Sequence, residues 1–313
     1  IPNVVFIELD KYLSDLDQNA RIIFLLRILQ NWGINRLHII NSSVGYELLE
    51  IYGKIIKENI KVYLHTYAFD RYDDGLIFNY LSNGLVKVYD YVDMFITDSE
   101  TYKNQLIEIN GFEASKIETL FLPIEEQKIN NKPVSNKKSY KVLWASRISD
   151  SKLVEVAVMI GKELAKHNIE LHFYGVLDSE YALNNYFYSL IEPYNNIHYH
   201  GEYDGFETID NENYDMLLLT SKNEGLPNIV LEALSVNLFV IAPNVGGIPE
   251  VIKDGTNGFL VDSNFSYHEY LEKILNFYDT EIDLLKLVEL NKCIMSNHSP
   301  DTYRKNVYKI LDI

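Results

Sequence analysis

YDMLLLTSKNEGLPNIVLEALSVNLFVIAPNVGGIPEVIKDGTNGFLVD, residues 214–262, carries an apolar strand, a polar turn, a helix and a second apolar strand. The first strand is read over Met216 to Leu219. The turn after it carries Glu224 and then Gly225-Leu226-Pro227-Asn228. Glu232 follows inside the apolar run of a helix, and the second strand, Leu238 to Ala242, leads to Gly246-Gly247. Strand, helix and strand joined by short turns predict a parallel sheet with helices on its faces. Two acids then straddle one helix N-terminus at the carboxyl end of a strand, where open α/β sheets bind their ligands.

Glu232 sits among Val230, Leu231, Ala233 and Leu234. A carboxylate there is costly unless it finds donors, and a ribose diol supplies them. Glu224, in the loop, is placed to accept from sugar hydroxyls. The ordinary alternative is two solvated acids, and only the surrounding pattern argues against it. Pro227 suits a first helical turn. The N–H groups of Asn228, Ile229 and Val230 are expected to be free for an anion, although most helix N-termini bind nothing. Upstream, ASRISDSK (145–152) places Arg147 after a strand and Lys152 at the start of the next helix. A guanidinium fork and an ammonium suit a diphosphate, and in an acidic chain they stand out from a plain solvated loop. His65 ends the strand Lys61 to His65 and is expected to face a cleft. Asp70, Arg71, Asp73 and Asp74 follow it as an acceptor site or a solvated loop. Gly246-Gly247 permits close approach of a ligand or simply a tight turn.

Working outward, the first part alternates strand and helix. Strands are read at Val4 to Glu8, Arg36 to Asn41, Lys61 to His65 and Met94 to Thr97, and helices at Ala20 to Trp32 and Tyr46 to Asn59. Ser99 or Asp98 is expected to cap a helix running through Ile109. Glu125 to Ser139 is polar and aperiodic, the best linker. Beyond it the alternation restarts: strand Lys141 to Ala145, helix Leu153 to Lys166, strand Glu170 to Tyr174 ending at Gly175, and strand Ile197 to His200. A last helix covers Asp301 to Leu311. The expectation is two doubly wound α/β domains, residues 1–134 and 138–298, with 299–313 crossing back onto the first, and a ligand cleft between them.

Composition excludes several classes. The 313 residues carry a net charge of −17, which argues against nucleic acid or an anionic membrane as a bulk partner. A single cysteine, Cys293, excludes an internal disulfide and fits a reducing cytosol. No apolar run reaches the length of a membrane span. There is no Gly-x-Gly-x-x-Gly, no Walker A loop, no His-Glu-x-x-His and no paired cysteines, so dinucleotide, P-loop and zinc motifs are not indicated. Asp15-Leu16-Asp17 has an Asp-x-Asp form too short to weigh. The chain starts at Ile1, and a fragment of a longer protein is expected.

Glu224 to Glu232 resembles the Glu-x7-Glu motif of the retaining GT-B glycosyltransferases of glycosyltransferase family 4, in the form found in enzymes of O-antigen, capsule and other surface glycans. Val245 to Glu250 (VGGIPE) and Asp254 to Val261 (DGTNGFLV) continue in register. Ala145 to Lys152 is similar to the family's Gly-Arg-Leu…Lys-Gly segment, with Leu153 where the family has Gly. The family's opening strand with a Gly-rich turn is not evident near Ile1. The resemblance implies a metal-independent, retaining hexosyltransferase without cofactor. It would use a UDP- or GDP-sugar and a glycan or lipid-linked saccharide acceptor, in the cytoplasm and at the inner membrane through partners. Glu232 would bind the ribose, and Glu224 with Gly225, Leu226, Pro227, Asn228 and Ile229 the sugar and phosphates. Arg147 and Lys152 would neutralise the departing diphosphate. Gly175, Tyr199 and Tyr203 would hold the base, and His65 would stand as a cleft histidine. The alternative is a non-catalytic GT-B module of a larger protein that binds a glycan or a partner.

Overall fold

The computed structural model describes residues 16–67, 80–124, 138–262 and 265–311. The expected strand Val4 to Glu8, Asp15, the Asp70 to Asp74 group and nearly all of the expected linker lie outside them; Asp17 of the Asp15-Leu16-Asp17 stretch is described and caps a helix. The chain forms two compact units. The first draws on Ile1–Thr66, Asn79–Ile96 and Ile107–Glu118, and the second on Tyr67–Phe78, Thr97–Leu106 and Thr119–Ile313.

In chain order the first elements are α1 (Gln18–Asn31), β1 (Arg36–Ile40), α2 (Ser43–Lys57), β2 (Lys61–His65), α3 (Tyr80–Val88), β3 (Met94–Thr97), α4 (Glu100–Asn110) and β4 (Ile117–Thr119). The sheet order is β1-β2-β3-β4, with β1–β2 and β2–β3 parallel. Side-chain caps start the helices: Asp17 accepts from the Ala20 N–H and Ser42 from the Gly45 N–H. At α4 the cap is Ser99, whose hydroxyl accepts from the Tyr102 N–H at 3.3 Å. Asp98 is directed elsewhere.

The second run is β5 (Lys141–Ala145), α5 (Val154–Leu164), β6 (Glu170–Tyr174), α6 (Ser179–Ala182), α7 (Tyr186–Ile191), β7 (Ile197–Tyr199), β8 (Met216–Leu218), α8 (Asn228–Ser235), β9 (Phe239–Pro243), α9 (Ile248–Val251), β10 (Gly258–Val261), α10 (Tyr267–Asp279), α11 (Leu284–Asn297) and α12 (Pro300–Leu311). The six strands run in the order β10-β9-β8-β5-β6-β7, and all pairings are parallel. That is the doubly wound order with its switch point between β5 and β8, where successive crossovers leave for opposite faces. β8 and β9 are buried throughout, as strands covered by helices on both faces must be. One core gathers Trp144, Phe173, Phe187 and Tyr270. The other gathers Leu143, Leu217, Val230 and Ile248.

Candidate functional site

The loops leaving the carboxyl ends of β5 and β8 meet at the switch point. Thr220, fully buried, ties them together: its hydroxyl accepts from the Trp144 indole N–H at 2.9 Å and donates to the Lys152 carbonyl at 2.8 Å. The Lys222 N–H donates to the Ser151 carbonyl at 2.9 Å. These bonds bring the Lys152 ammonium onto Glu224 Oε1 as an ion pair, with the side chains 21% and 10% exposed. Such shielding from water makes the pair stronger than a surface one. Arg147 is exposed on the same loop. Just after Lys152, Leu153 adopts φ +48° and ψ +50°, a left-handed conformation costly for a residue with a Cβ.

The Glu224–Leu226 turn is held by backbone. Gly246 has φ +55°, and a Cβ there would overlap the Glu224 carbonyl and lie 2.7 Å from the Gly225 carbonyl oxygen. The Gly247 N–H donates to that Gly225 carbonyl at 2.7 Å. The close approach read from Gly246-Gly247 is therefore to this turn. On its other side the Leu226 N–H donates to Asp98 Oδ2 at 2.9 Å. Asp98 is 4% exposed, and its Oδ1 has no partner among the described residues. Burial pushes its carboxyl up to about 7, against the pull of the Leu226 N–H and with a push from Glu250. Glu250 accepts from the Glu100 and Thr101 N–H groups at 3.2 and 2.6 Å, closing the start of α4. Both acids were missed as turn anchors by sequence reading, because their partners lie about 130 and 150 residues away along the chain.

At α8, Pro227 gives no side-chain cap. The Val230 N–H is not free as expected: it donates to the Pro227 carbonyl at 3.0 Å, closing the first turn. The N–H groups of Asn228 and Ile229 remain without a partner among the described residues. Glu232, one face round the helix, is half-buried, and its carboxylate has no hydrogen-bonding partner among the described residues. Burial raises its pKa, and Glu207 adds to the effect. Tyr203 lies close enough for Glu232 to raise its phenol pKa, after burial. The two acids thus differ: Glu224 is neutralised by Lys152, while Glu232 awaits donors.

Gly175 follows β6 with φ +143°, and a Cβ there would overlap the Ser146 carbonyl oxygen. The Tyr199 hydroxyl donates to the Gly175 carbonyl at 2.8 Å, and its ring packs edge-on to Phe187. Tyr199 is thereby a positioning group for the Gly175 turn. Tyr203 instead stands edge-on to Tyr174, 6.4 Å between centroids, on the Glu232 side. His65 belongs to the first unit. It is buried at the end of β2, its imidazole 4.5 Å from that of His38, and burial with the His38 charge lowers its pKa to about 4. No helix among the described residues is long and apolar enough to cross a membrane.

Known proteins resemble this chain in sequence and fold. Residues 125–294 match the family model described as Glycosyl transferases group 1. The O-antigen biosynthesis glycosyltransferase WbnH of Escherichia coli is 31% identical over 184 residues, 58% of this chain and 50% of WbnH. The chain spans about half the length of this relative and of the probable O-antigen biosynthesis glycosyltransferase WbiN. Among solved structures, Anabaena Alr3699/HepE in complex with UDP superposes with a TM-score of 0.73 at 16% identity, over 96% of this chain and 84% of that one. The lipopolysaccharide outer core galactosyltransferase WaaB, in its apo form, gives 0.70 at 18% identity, over 96% and 82%. At such identities the likeness is one of fold, and that fold is the GT-B type with two Rossmann-like sheets. The family match covers more than half of the sequence, and the chain belongs to the glycosyl transferases group 1 family.

Proposed function

We propose that this chain transfers a sugar from a nucleoside-diphosphate sugar to a saccharide hydroxyl, with retained anomeric configuration, in the assembly of a surface polysaccharide. The observation that carries the reading is the shielded Lys152–Glu224 pair at the switch point beside Glu232, a half-buried acid with no protein partner. Glu232 accepts from the ribose hydroxyls and Tyr203 lines the base side. The N–H groups of Asn228 and Ile229, with Lys152 and Arg147, face the diphosphate. Glu224 and the Gly225–Leu226 backbone hold the sugar. The acceptor oxygen attacks the anomeric carbon on the face from which the diphosphate departs. The bond from that carbon to the phosphate oxygen breaks, and the acceptor proton passes to that oxygen. Two cations and a helix terminus then stabilise the leaving charge without a metal ion. The relatives support the reading: HepE is solved with UDP, and WbnH acts in O-antigen biosynthesis. We infer that the transfer takes place in the cytoplasm.

Calorimetric titration of the chain with UDP, GDP and ADP tests it. One nucleotide should bind, and Glu232→Ala should weaken it about 10- to 100-fold, the worth of hydrogen bonds to a charged group. The anomeric proton of the product, followed by NMR with the matching sugar nucleotide, reads retention or inversion. Failure of all three nucleotides to bind, or an unchanged Glu232→Ala, would overturn the proposal. Glycan binding indifferent to nucleotide would favour a non-catalytic module instead.

A further inference from the structure

Away from these loops, the β6–β7 edge of the second sheet gathers an unusual set of side chains. Glu170 and His172 are two apart on β6 and so share one face. His172 pairs in register with His198 on β7, and His200 lies two residues further on the same face. His172 Nε2 stands 3.1 Å from Glu170 Oε2, and His172 Nδ1 stands 2.9 Å from His200 Nε2. The rings of His172 and His200 are 7° from coplanar, and that of His198 is 4.7 Å from His172. One donor atom each from Glu170, His172 and His198 lies within 4.8 Å of the others.

We propose that Glu170, His172 and His198 bind one divalent transition-metal ion of the zinc class, with His200 orienting His172 from the outer sphere. The inference is independent of the sugar-transfer reading. Zinc takes imidazole nitrogen and carboxylate oxygen at about 2.0–2.2 Å, so tetrahedral donors sit roughly 3.4 Å apart. Side-chain rotations closing the present spacing of up to 4.8 Å by up to about 1.4 Å complete the set. Two imidazoles and one carboxylate leave a fourth position for water, and nitrogen donors disfavour magnesium and calcium.

The hydrogen bonding shows why a cation fits. In the tautomer whose Nδ1–H is donated to His200, His172 turns an Nε2 lone pair toward Glu170 Oε2 at 3.1 Å; in the other, Nε2–H donates to Glu170 and His200 donates to Nδ1. The first leaves two acceptors facing each other, the arrangement that a metal ion between them would select. Metal-bound histidines characteristically donate their second ring N–H to such a partner. Lys141 Nζ, 3.3 Å from Glu170 Oε2 and partly exposed, competes with the ion. β7 is the edge of the sheet and His198 is half-buried, so ions reach the site from solvent. Sequence patterns for zinc overlooked it because the donors alternate along two strands, in ELHFY and IHYH, and meet only through β6–β7 pairing.

The test uses the full 313-residue chain, stripped with chelator and titrated with Zn²⁺, with Co²⁺ as a visible-absorption probe of low coordination number. One equivalent should bind. His198→Gln and Glu170→Gln should each weaken it at least about tenfold. His200→Ala should weaken it about tenfold, as outer-sphere partners do, and Lys141→Met should tighten it. His172→Phe, which keeps a ring in the buried position, guards against misfolding; thermal unfolding confirms that each variant is folded. Zn²⁺ should raise the melting temperature of the parent and not that of His172→Phe. No stoichiometric uptake, or uptake unchanged in the His172→Phe, His198→Gln double variant, would show a hydrogen-bonded histidine cluster and refute the site.

Discussion

Replacing Gly246 with Ala tests whether backbone packing holds the Glu224–Leu226 turn. At φ +55° an alanine bears about 1–2 kcal/mol of left-handed strain. Its Cβ also overlaps the Glu224 carbonyl, and every neighbour in the way is backbone, so no flexible side chain can yield. The turn must move, and the 2.7 Å bond from the Gly247 N–H to Gly225 goes with it. A buried bond broken in this way costs about 1–3 kcal/mol. The total is roughly 2–5 kcal/mol. Gly255 is the control: its φ is +76°, but a Cβ there would meet only a Phe259 ring carbon at 4.0 Å. Gly255→Ala therefore carries the strain alone, about 1–2 kcal/mol. In thermal unfolding the Gly246 variant should melt about 2–12 °C below the Gly255 variant, from the broken-bond term of about 1–3 kcal/mol at about 2–4 °C per kcal/mol for a unit of this size. Calorimetry should show sugar-nucleotide affinity falling in Gly246→Ala and holding in Gly255→Ala. Equal melting temperatures, with equal affinities, would refute the claim that Gly246 is required by contact with the turn.

Three further outcomes follow from named residues. At Leu153 the usual order reverses: Leu153→Gly should be more stable than Leu153→Ala by about 1–2 kcal/mol in urea denaturation, since both lose the side chain and only glycine relieves the left-handed strain; alanine above glycine would refute it. Asp98 has a folded pKa raised to about 7, so the folded state holds its proton where the unfolded chain has released it, and stability must fall as pH rises from about 4 to 7; Asp98→Asn should flatten that slope, by at most about 4 kcal/mol, and parallel stability–pH curves would sink the assignment. Asn257 is fully buried, accepts from the Lys253 N–H and donates to the Val251 carbonyl and Asn291, so Asn257→Leu should cost about 3 kcal/mol or more in the same denaturation series by stranding buried partners.

The strands were legible because a doubly wound sheet buries both faces. Runs such as VLWA, MLLL and FVIA declare themselves without long-range information. The pair Glu224 and Glu232 was legible because their spacing is local to one turn and one helix. What the sequence withheld is whatever depends on register or on loops meeting from distant positions. Helix α11 escaped the reading for a different reason: Leu285 stands 85% exposed within it, which blurs the helical period. Helix α10 escaped despite a regular buried face of Tyr270, Ile274 and Phe277. Leu153, noted only as a departure from the family's glycine, occupies a left-handed conformation that a glycine would adopt without strain. Gly246, Glu250 and Asn257 belong to the same matched stretches as the two acids, yet each is occupied with protein: a carbonyl, the start of α4, a buried amide network. The motif is therefore part chemistry and part scaffold. Glu232 and the N–H groups of Asn228 and Ile229 have no partner among the described residues and, in the proposed reading, serve the ligand, while the glycines and Asp98 fix where the Glu224 turn stands. Loss of ligand affinity on mutating a motif residue consequently does not by itself place that residue against the ligand. Stability separates the two kinds: scaffold variants such as Gly246→Ala should lose both stability and affinity, whereas Glu232→Ala should lose affinity while gaining stability, because it removes a half-buried carboxylate with no protein partner.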